Sequence, residues 1–261
     1  MLEFTAEITE KGVTERAFTL DRPAEPVPGI LWTPEEPVTT GPRPLVLLGH
    51  GGTQHKRVPN ITALARRLVR HHDFAAVAID LPHHGDRIPE AERGLSREER
   101  RERLGRRLFG RGRGETTQLA VGDWIATVDA VTDLPEIGAG GPVGYWGLSM
   151  GCAFGVPLIA GEPRIDAAVL GLFGWAEGSR LVGYDDLARA ITVPLLFIVQ
   201  WDDEVVDHHH AAELFGIFGS TRKTMHANPG GHVEVPLFER AAAEAFFAEH
   251  LGTAGAQAPA A

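Results

Sequence analysis

Five short, nearly continuous apolar runs most limit what this chain can become: residues 44–48, 75–79, 143–147, 167–172 and 194–200. A strand covered on one face alternates apolar and polar residues. An unbroken run marks a strand covered on both faces, as in a parallel sheet. Helical patterns separate the runs. Asn60 reads as the cap of a helix burying Ile61, Leu64 and Leu68, spaced i, i+3 and i+7. Residues 117–132 carry Val121, Ile125 and Val128 on one face, a helix follows Ser149 to about residue 159, and residues 235–251 form a closing helix. With two earlier strands at 16–20 and 29–32 and a weak last strand at 224–227, the order predicts an α/β fold with a mostly parallel sheet flanked by helices. In such sheets, chemistry collects beyond the carboxyl ends of the strands.

The 261 residues, 43% hydrophobic, suit one domain over residues 1–251, followed by a flexible tail of small residues at 252–261. A net charge of -10 argues against nucleic acid as a partner. No apolar run reaches the ~18 residues of a membrane span. Residues 1–11 carry Glu3, Glu7 and Glu10 and no apolar signal core. The single cysteine, Cys152, excludes an internal disulfide and fits a reducing compartment, so the expected location is cytoplasmic. A homodimer is compatible with the sequence.

Residues 86–114 interrupt the strand–helix rhythm. Ten arginines fall between Arg87 and Arg113, interleaved with glutamates, and Ser96 and Glu99 have capping-box spacing. This reads as a small helical cap inserted near the strand ends. Its bland interpretation is a solvated helix whose charges pair with one another. Its sharper one is selection of anionic substrates through Arg106 and Arg107.

The chemistry starts at Gly147-Leu148-Ser149-Met150-Gly151, where an apolar strand breaks and a helix begins. A serine hydroxyl needs a base to become nucleophilic. It must also stand clear of the sheet on a sharp turn, and glycines two before and two after relieve the crowding there. With four serines and 31 glycines in the chain, about 0.06 such pentapeptides arise by chance. Asp203 follows the apolar run 194–200 and is placed to orient a histidine; Asp202 is its rival, and Asp207 looks like a helix cap. His232, in Pro229-Gly230-Gly231-His232, is the candidate base, since paired glycines can hold an exposed side chain in a fixed place. His226 lies within the last strand, His208 to His210 begin a surface helix, and His71 and His72 end one.

Acyl transfer places negative charge on a carbonyl oxygen, and backbone N–H groups stabilise it. Met150 supplies one donor; the turn after residue 48 supplies the other, with Gly52 preferred over Gly51 and Thr53. Leu108, Phe109, Phe173 and Trp175 are candidates for an apolar acyl pocket. No His-Glu-x-x-His helix is present, one cysteine cannot build a structural zinc site, and His83, His84 and His208 to His210 offer only adventitious metal binding. No G-x-G-x-x-G follows a strand, and residues 111–114 read as a loop, so neither cofactor nor metal is expected.

On His50-Gly51-Gly52, the Ser149 pentapeptide, Asp203 and His232, the chain resembles the α/β-hydrolase superfamily over about residues 15–251. The stretch Asp80-Leu81-Pro82-His83-His84-Gly85-Asp86-Arg87 resembles esterases related to dienelactone hydrolases and prolyl oligopeptidases. The resemblance implies an eight-stranded sheet, a Ser-Asp-His triad in that chain order and no cofactor. The serine differs from the usual cysteine of dienelactone hydrolases. The activity implied is that of a carboxylesterase cleaving a small-molecule ester through an acyl-enzyme. Amide, peptide or thioester hydrolysis by the same triad, and a non-catalytic binding protein, are the alternatives.

Overall fold

Nine strands form one sheet in the computed structural model, which describes residues 1–36, 41–109, 113–174 and 183–252, without the side chains of Arg97, Leu108, Phe109 and Arg113. In chain order they are β1 (Leu2–Glu10), β2 (Val13–Leu20), β3 (Val27–Pro34), β4 (Leu45–Gly49), β5 (Ala75–Ile79), β6 (Val143–Leu148), β7 (Ile165–Gly171), β8 (Leu195–Gln200) and β9 (Lys223–Asn228). The spatial order is β1-β2-β3-β5-β4-β6-β7-β8-β9. The first three strands and β5 pair antiparallel in turn, and the pairings from β5 through β4 to β9 are parallel.

The helices are α1 (Pro59–His72), α2 (Arg97–Phe109), α3 (Arg113–Thr132), α4 (Met150–Gly161), α5 (Tyr184–Ala190), α6 (His208–Ile217) and α7 (Phe238–Leu251). They cover both faces, which is why the central strands need no polar residues. Leu45 and Leu47 of β4 point into the layer filled by Trp124 of α3 and Phe154 and Leu158 of α4. Val46 and Leu48 point the other way, towards Ile61, Leu64 and Leu68 of α1 and Phe247 of α7. Among the described residues, no helix is long and apolar enough to cross a membrane.

Several expectations need correction. The sheet has nine strands rather than eight; the addition is β1, an outer strand mostly facing solvent. Asn60 does not cap α1: the helix starts at Pro59, a residue whose fixed φ suits the first helical position, and Val58 precedes it with no side-chain cap. The buried face of α3 is Ala120, Trp124, Val128 and Val131, so Val121 and Ile125 are only partly buried. Trp124 sets that rotation, its ring meeting Tyr145 edge-on at 6.0 Å. Arg113 and Gly114 open α3 rather than lying in a loop, and residues 111 and 112 are outside the described residues. Helix α5 had no counterpart in the sequence reading. The capping box of α2 is present: Ser96 N donates to Glu99 Oε2 at 2.8 Å, and Glu99 N to Ser96 Oγ at 3.2 Å.

Candidate active site

Ser149 stands between β6 and α4 with φ 57° and ψ -118°, a conformation that L-residues rarely adopt. The glycines around it are required by space. A Cβ on Gly147 would lie 2.6 Å from the Gly151 carbonyl oxygen, and one on Gly151 would lie 2.6 Å from that of Gly49. The turn lifts Ser149 Oγ to 2.8 Å from His232 Nε2. On the far side of the ring, His232 Nδ1 donates to Asp203 Oδ2 at 2.7 Å. The Asp203 side chain is only 2% exposed and that of His232 13%. Asp203 Oδ1 accepts the amides of Val205 and Val206 at 2.8 and 2.9 Å, so neither oxygen of this buried carboxylate lacks a donor.

The loop carrying His232 is held by acids. Gly230 N donates to Asp202 Oδ2 at 3.1 Å, Gly231 N to Glu234 Oε2 at 2.7 Å and His232 N to Glu204 Oε2 at 2.9 Å. Gln200, the last residue of β8, donates through Nε2 to the carbonyls of Pro229 and Gly231, each at 3.3 Å. Asp202 therefore supports the loop while Asp203 meets the ring. Asp207 caps α6 through His209 N, as its position implied.

Gly51, Gly52 and Thr53 line the same cavity as Ser149 and Met150. The Gly51 N–H is taken by Gln54 Oε1 at 3.1 Å, whereas no described residue accepts the Gly52 N–H. A Cβ at Gly52 would be 4.0 Å from Met150 Cβ, so the two peptides adjoin. His50 anchors the turn from below. Its Nδ1 donates to the Gly51 carbonyl at 2.8 Å, and its Nε2 accepts Leu81 N at 3.1 Å. Complete burial pushes the His50 pKa down to about 4, which keeps the ring neutral in that tautomer.

In a structure of a cold-adapted esterase from an Arctic intertidal metagenomic library, bound to PEG, the similarity is 37% identity over 95% of this chain and 99% of that one, with a TM-score of 0.78. The chain belongs to the α/β-hydrolase superfamily, among its esterases. An acetyl xylan esterase from Paenibacillus sp. R4 (16% identity, 96% of this chain and 88% of that chain, TM-score 0.72) shares the fold. So does a Klebsiella pneumoniae protein assigned as a dienelactone hydrolase (15% identity, 92% and 100%, TM-score 0.71). No protein-family profile and no curated protein matches the chain.

The cavity of this hydrolase is about 1880 Å³, with Leu148, Phe154, Leu172 and Phe173 in its wall and the exposed Val205, Val233 and Leu237 also lining it. Phe173 thus lines the cavity while packing on Tyr184. Trp175 and the side chains of Leu108 and Phe109 lie outside the described residues. The arginines of the cap pair with its glutamates, as the bland interpretation has it. Arg106 pairs with Glu102, and Arg103 and Arg107 with Glu92, so Arg106 and Arg107 are committed. Arg101, on the same helix, lines the cavity together with Glu204, on whose carboxylate its charge acts.

The stretch from Asp80 to Arg87 is a structural knot. Buried Asp80 accepts Lys56 N and Asp86 N, each at 2.9 Å, and Lys56 Nζ at 2.5 Å; Arg87 binds Asp123, Glu25 and the Asp80 carbonyl. Among the described residues, the groups able to gather around a metal are His71, His72 and Glu244, and Asp207, His208 and His209; neither includes Ser149, Asp203 or His232.

Proposed function

We propose that this carboxylesterase works through an acyl-enzyme on Ser149, with His232 as general base and acid and Asp203 as its orienting carboxylate. The observation that carries the reading is the unbroken contact from Ser149 Oγ through both nitrogens of His232 to Asp203. His232 takes the hydroxyl proton as Oγ attacks the ester carbonyl. Asp203 keeps the ring proton on Nδ1, which leaves Nε2 free to accept, and offsets the charge on the imidazolium that results. The N–H groups of Met150 and Gly52 receive the oxyanion, each contributing roughly 3 kcal/mol to barrier lowering. His232 then protonates the departing alcohol and afterwards draws a proton from water, which releases the acid.

Helix α2 acts in this proposal as a cap. Its Leu104 lies 3.8 Å from where a Gly52 Cβ would be, directly over the oxyanion turn. A small-molecule ester with an apolar acyl group fits the wall formed by Leu148, Phe154, Leu172 and Phe173. Nitrophenyl esters of graded acyl length, assayed beside the matching anilides, test the reading. The expected result is ester turnover that vanishes in Ser149→Ala, and labelling of Ser149 by a fluorophosphonate. Turnover that persists in a folded Ser149→Ala protein overturns it.

A further inference from the structure

At the opposite end of the sheet from Ser149, three metal-ligating side chains converge without any part in the reaction. His71 and His72 end α1, and Glu244 lies in α7. Helix α1 leads directly into Ala75, which pairs with Leu45 at the amino ends of the parallel strands, whereas Ser149 follows the carboxyl end of β6. A strand of this length separates the two places by roughly 17 Å. Glu244 Oε1 meets both imidazoles, His71 Nδ1 at 2.5 Å and His72 Nε2 at 3.1 Å, and the three ligand atoms all lie within 4.8 Å of one another.

Neighbouring residues on a helix point about 100° apart, so two consecutive histidines do not ordinarily address one atom. Here one ring uses Nδ1 and the other Nε2, and that difference in reach brings them together. The Glu244 side chain is 7% exposed, and its second oxygen is held by Arg67 Nε. That contact orients the carboxylate and leaves Oε1 as the single ligating oxygen, as supporting groups do around bound metals.

We propose that His71, His72 and Glu244 form a zinc site that fastens α7 to α1. Two imidazole nitrogens and one carboxylate oxygen are a donor set that zinc accepts in tetrahedral geometry, with ligand atoms roughly 3.3 Å apart around bonds of about 2.0–2.2 Å. The two nitrogen–oxygen separations, 2.5 and 3.1 Å, lie below that value, so the imidazoles must draw back from Glu244 by roughly 0.2–0.8 Å to admit the ion. In the metal-free chain each ring donates its N–H to Glu244 Oε1, since a carboxylate oxygen only accepts; on zinc binding the proton sits on the ring's other nitrogen, which turns a lone pair towards the metal. Water takes the fourth position from the open side, where His71 is 48% exposed. Binding joins residues more than 170 positions apart in the chain. It stabilises a helix whose Glu239 also bonds His226 and Asn228 of β9.

Motif searching misses such a site because its ligands come from two distant helices. The rival cluster at Asp207, His208 and His209 is less suited. Asp207 Oδ1 is engaged as the α6 cap, and His208 stacks on Trp201 at 4.1 Å.

The test is calorimetric titration of the chelator-stripped full chain with zinc chloride, paired with thermal unfolding. The expected result is one zinc per chain for the native protein and for a His208→Gln/His209→Gln variant. Binding weakens at least about tenfold in His72→Gln and in Glu244→Gln. Zinc raises the Tm of the native protein and leaves that of His71→Gln/His72→Gln unchanged. Retained ester hydrolysis in the histidine variants shows that they fold, so they decide the matter even if Glu244→Gln does not. No zinc uptake by the native chain, uptake that survives His71→Gln/His72→Gln, or uptake lost in His208→Gln/His209→Gln overturns the proposal.

Discussion

Asp203→Asn probes the relay most sharply, because the surrounding backbone dictates how the new amide must face. Asp203 Oδ1 accepts two amides, those of Val205 and Val206 at 2.8 and 2.9 Å, and an NH2 group cannot accept either. The asparagine oxygen therefore keeps that place, and its NH2 turns towards His232 Nδ1, 2.7 Å away. Nδ1 must then accept, so the ring proton moves to Nε2 and points at Ser149 Oγ, 2.8 Å distant. A ring in that tautomer cannot take the hydroxyl proton. The same reversal in other Ser-His-Asp hydrolases lowers kcat by about 10⁴, equivalent to about 5 kcal/mol of barrier. Asp202→Asn is the matched control. It accepts one bond, from Gly230 N at 3.1 Å, and an amide oxygen can still do so. It loses at most about 1 kcal/mol, or roughly fivefold. Steady-state hydrolysis of nitrophenyl acetate, with circular dichroism to verify folding, measures both. The reasoning is refuted if Asp203→Asn keeps more than about a tenth of native kcat, or if Asp202→Asn falls as far.

Gly147→Ala forces a Cβ to within 2.6 Å of the Gly151 carbonyl oxygen. It should cost about 1–3 kcal/mol of stability, read as a lower Tm by calorimetry, and reduce turnover as the elbow shifts. Burial pushes the pKa of His50 down to about 4 and that of His84 to about 3, while both titrate near the usual 6.5 when unfolded. The unfolded chain then binds up to two more protons than the folded one between about pH 6.5 and 4, so acidification across that window removes stability by up to about 2.7 kcal/mol per pH unit from these groups. Urea midpoints measured across that window should show the slope, and His84→Gln should flatten it; an unchanged slope contradicts the assignment. Arg101→Gln should raise KM for an anionic nitrophenyl ester roughly fivefold at low salt, an effect that salt erases and that Arg106→Gln/Arg107→Gln does not reproduce.

The parts that could be read from the chain are those whose cause is local. The central strands are unbroken apolar runs because helices cover both faces. Ser149 is flanked by glycines because carbonyl oxygens occupy the space a Cβ would need. Strand β1 escapes notice because it is mostly solvent-facing and is fixed by its register with β2, Leu2 opposite Leu20 and Glu10 opposite Val13. Helix α3 is apolar on more than one side, so periodicity could not choose between Val121 and Trp124. Apart from the local contact of Glu234, the supports of the His232 loop join residues about 30 positions apart in the chain, and the polar Gln200 closing an apolar strand hints at them.

The turn at Ser149 is held without help from its own side chain. Ser149 N donates to the Gly171 carbonyl at 2.9 Å, its carbonyl accepts Ala153 N at 3.0 Å, and the hydroxyl makes no capping bond. Position 149 is therefore a socket: the backbone sets where the side-chain atom stands, and the residue sets only which element it is. A Ser149→Cys substitution therefore sets sulfur where the oxygen stands and leaves each of these backbone contacts in place.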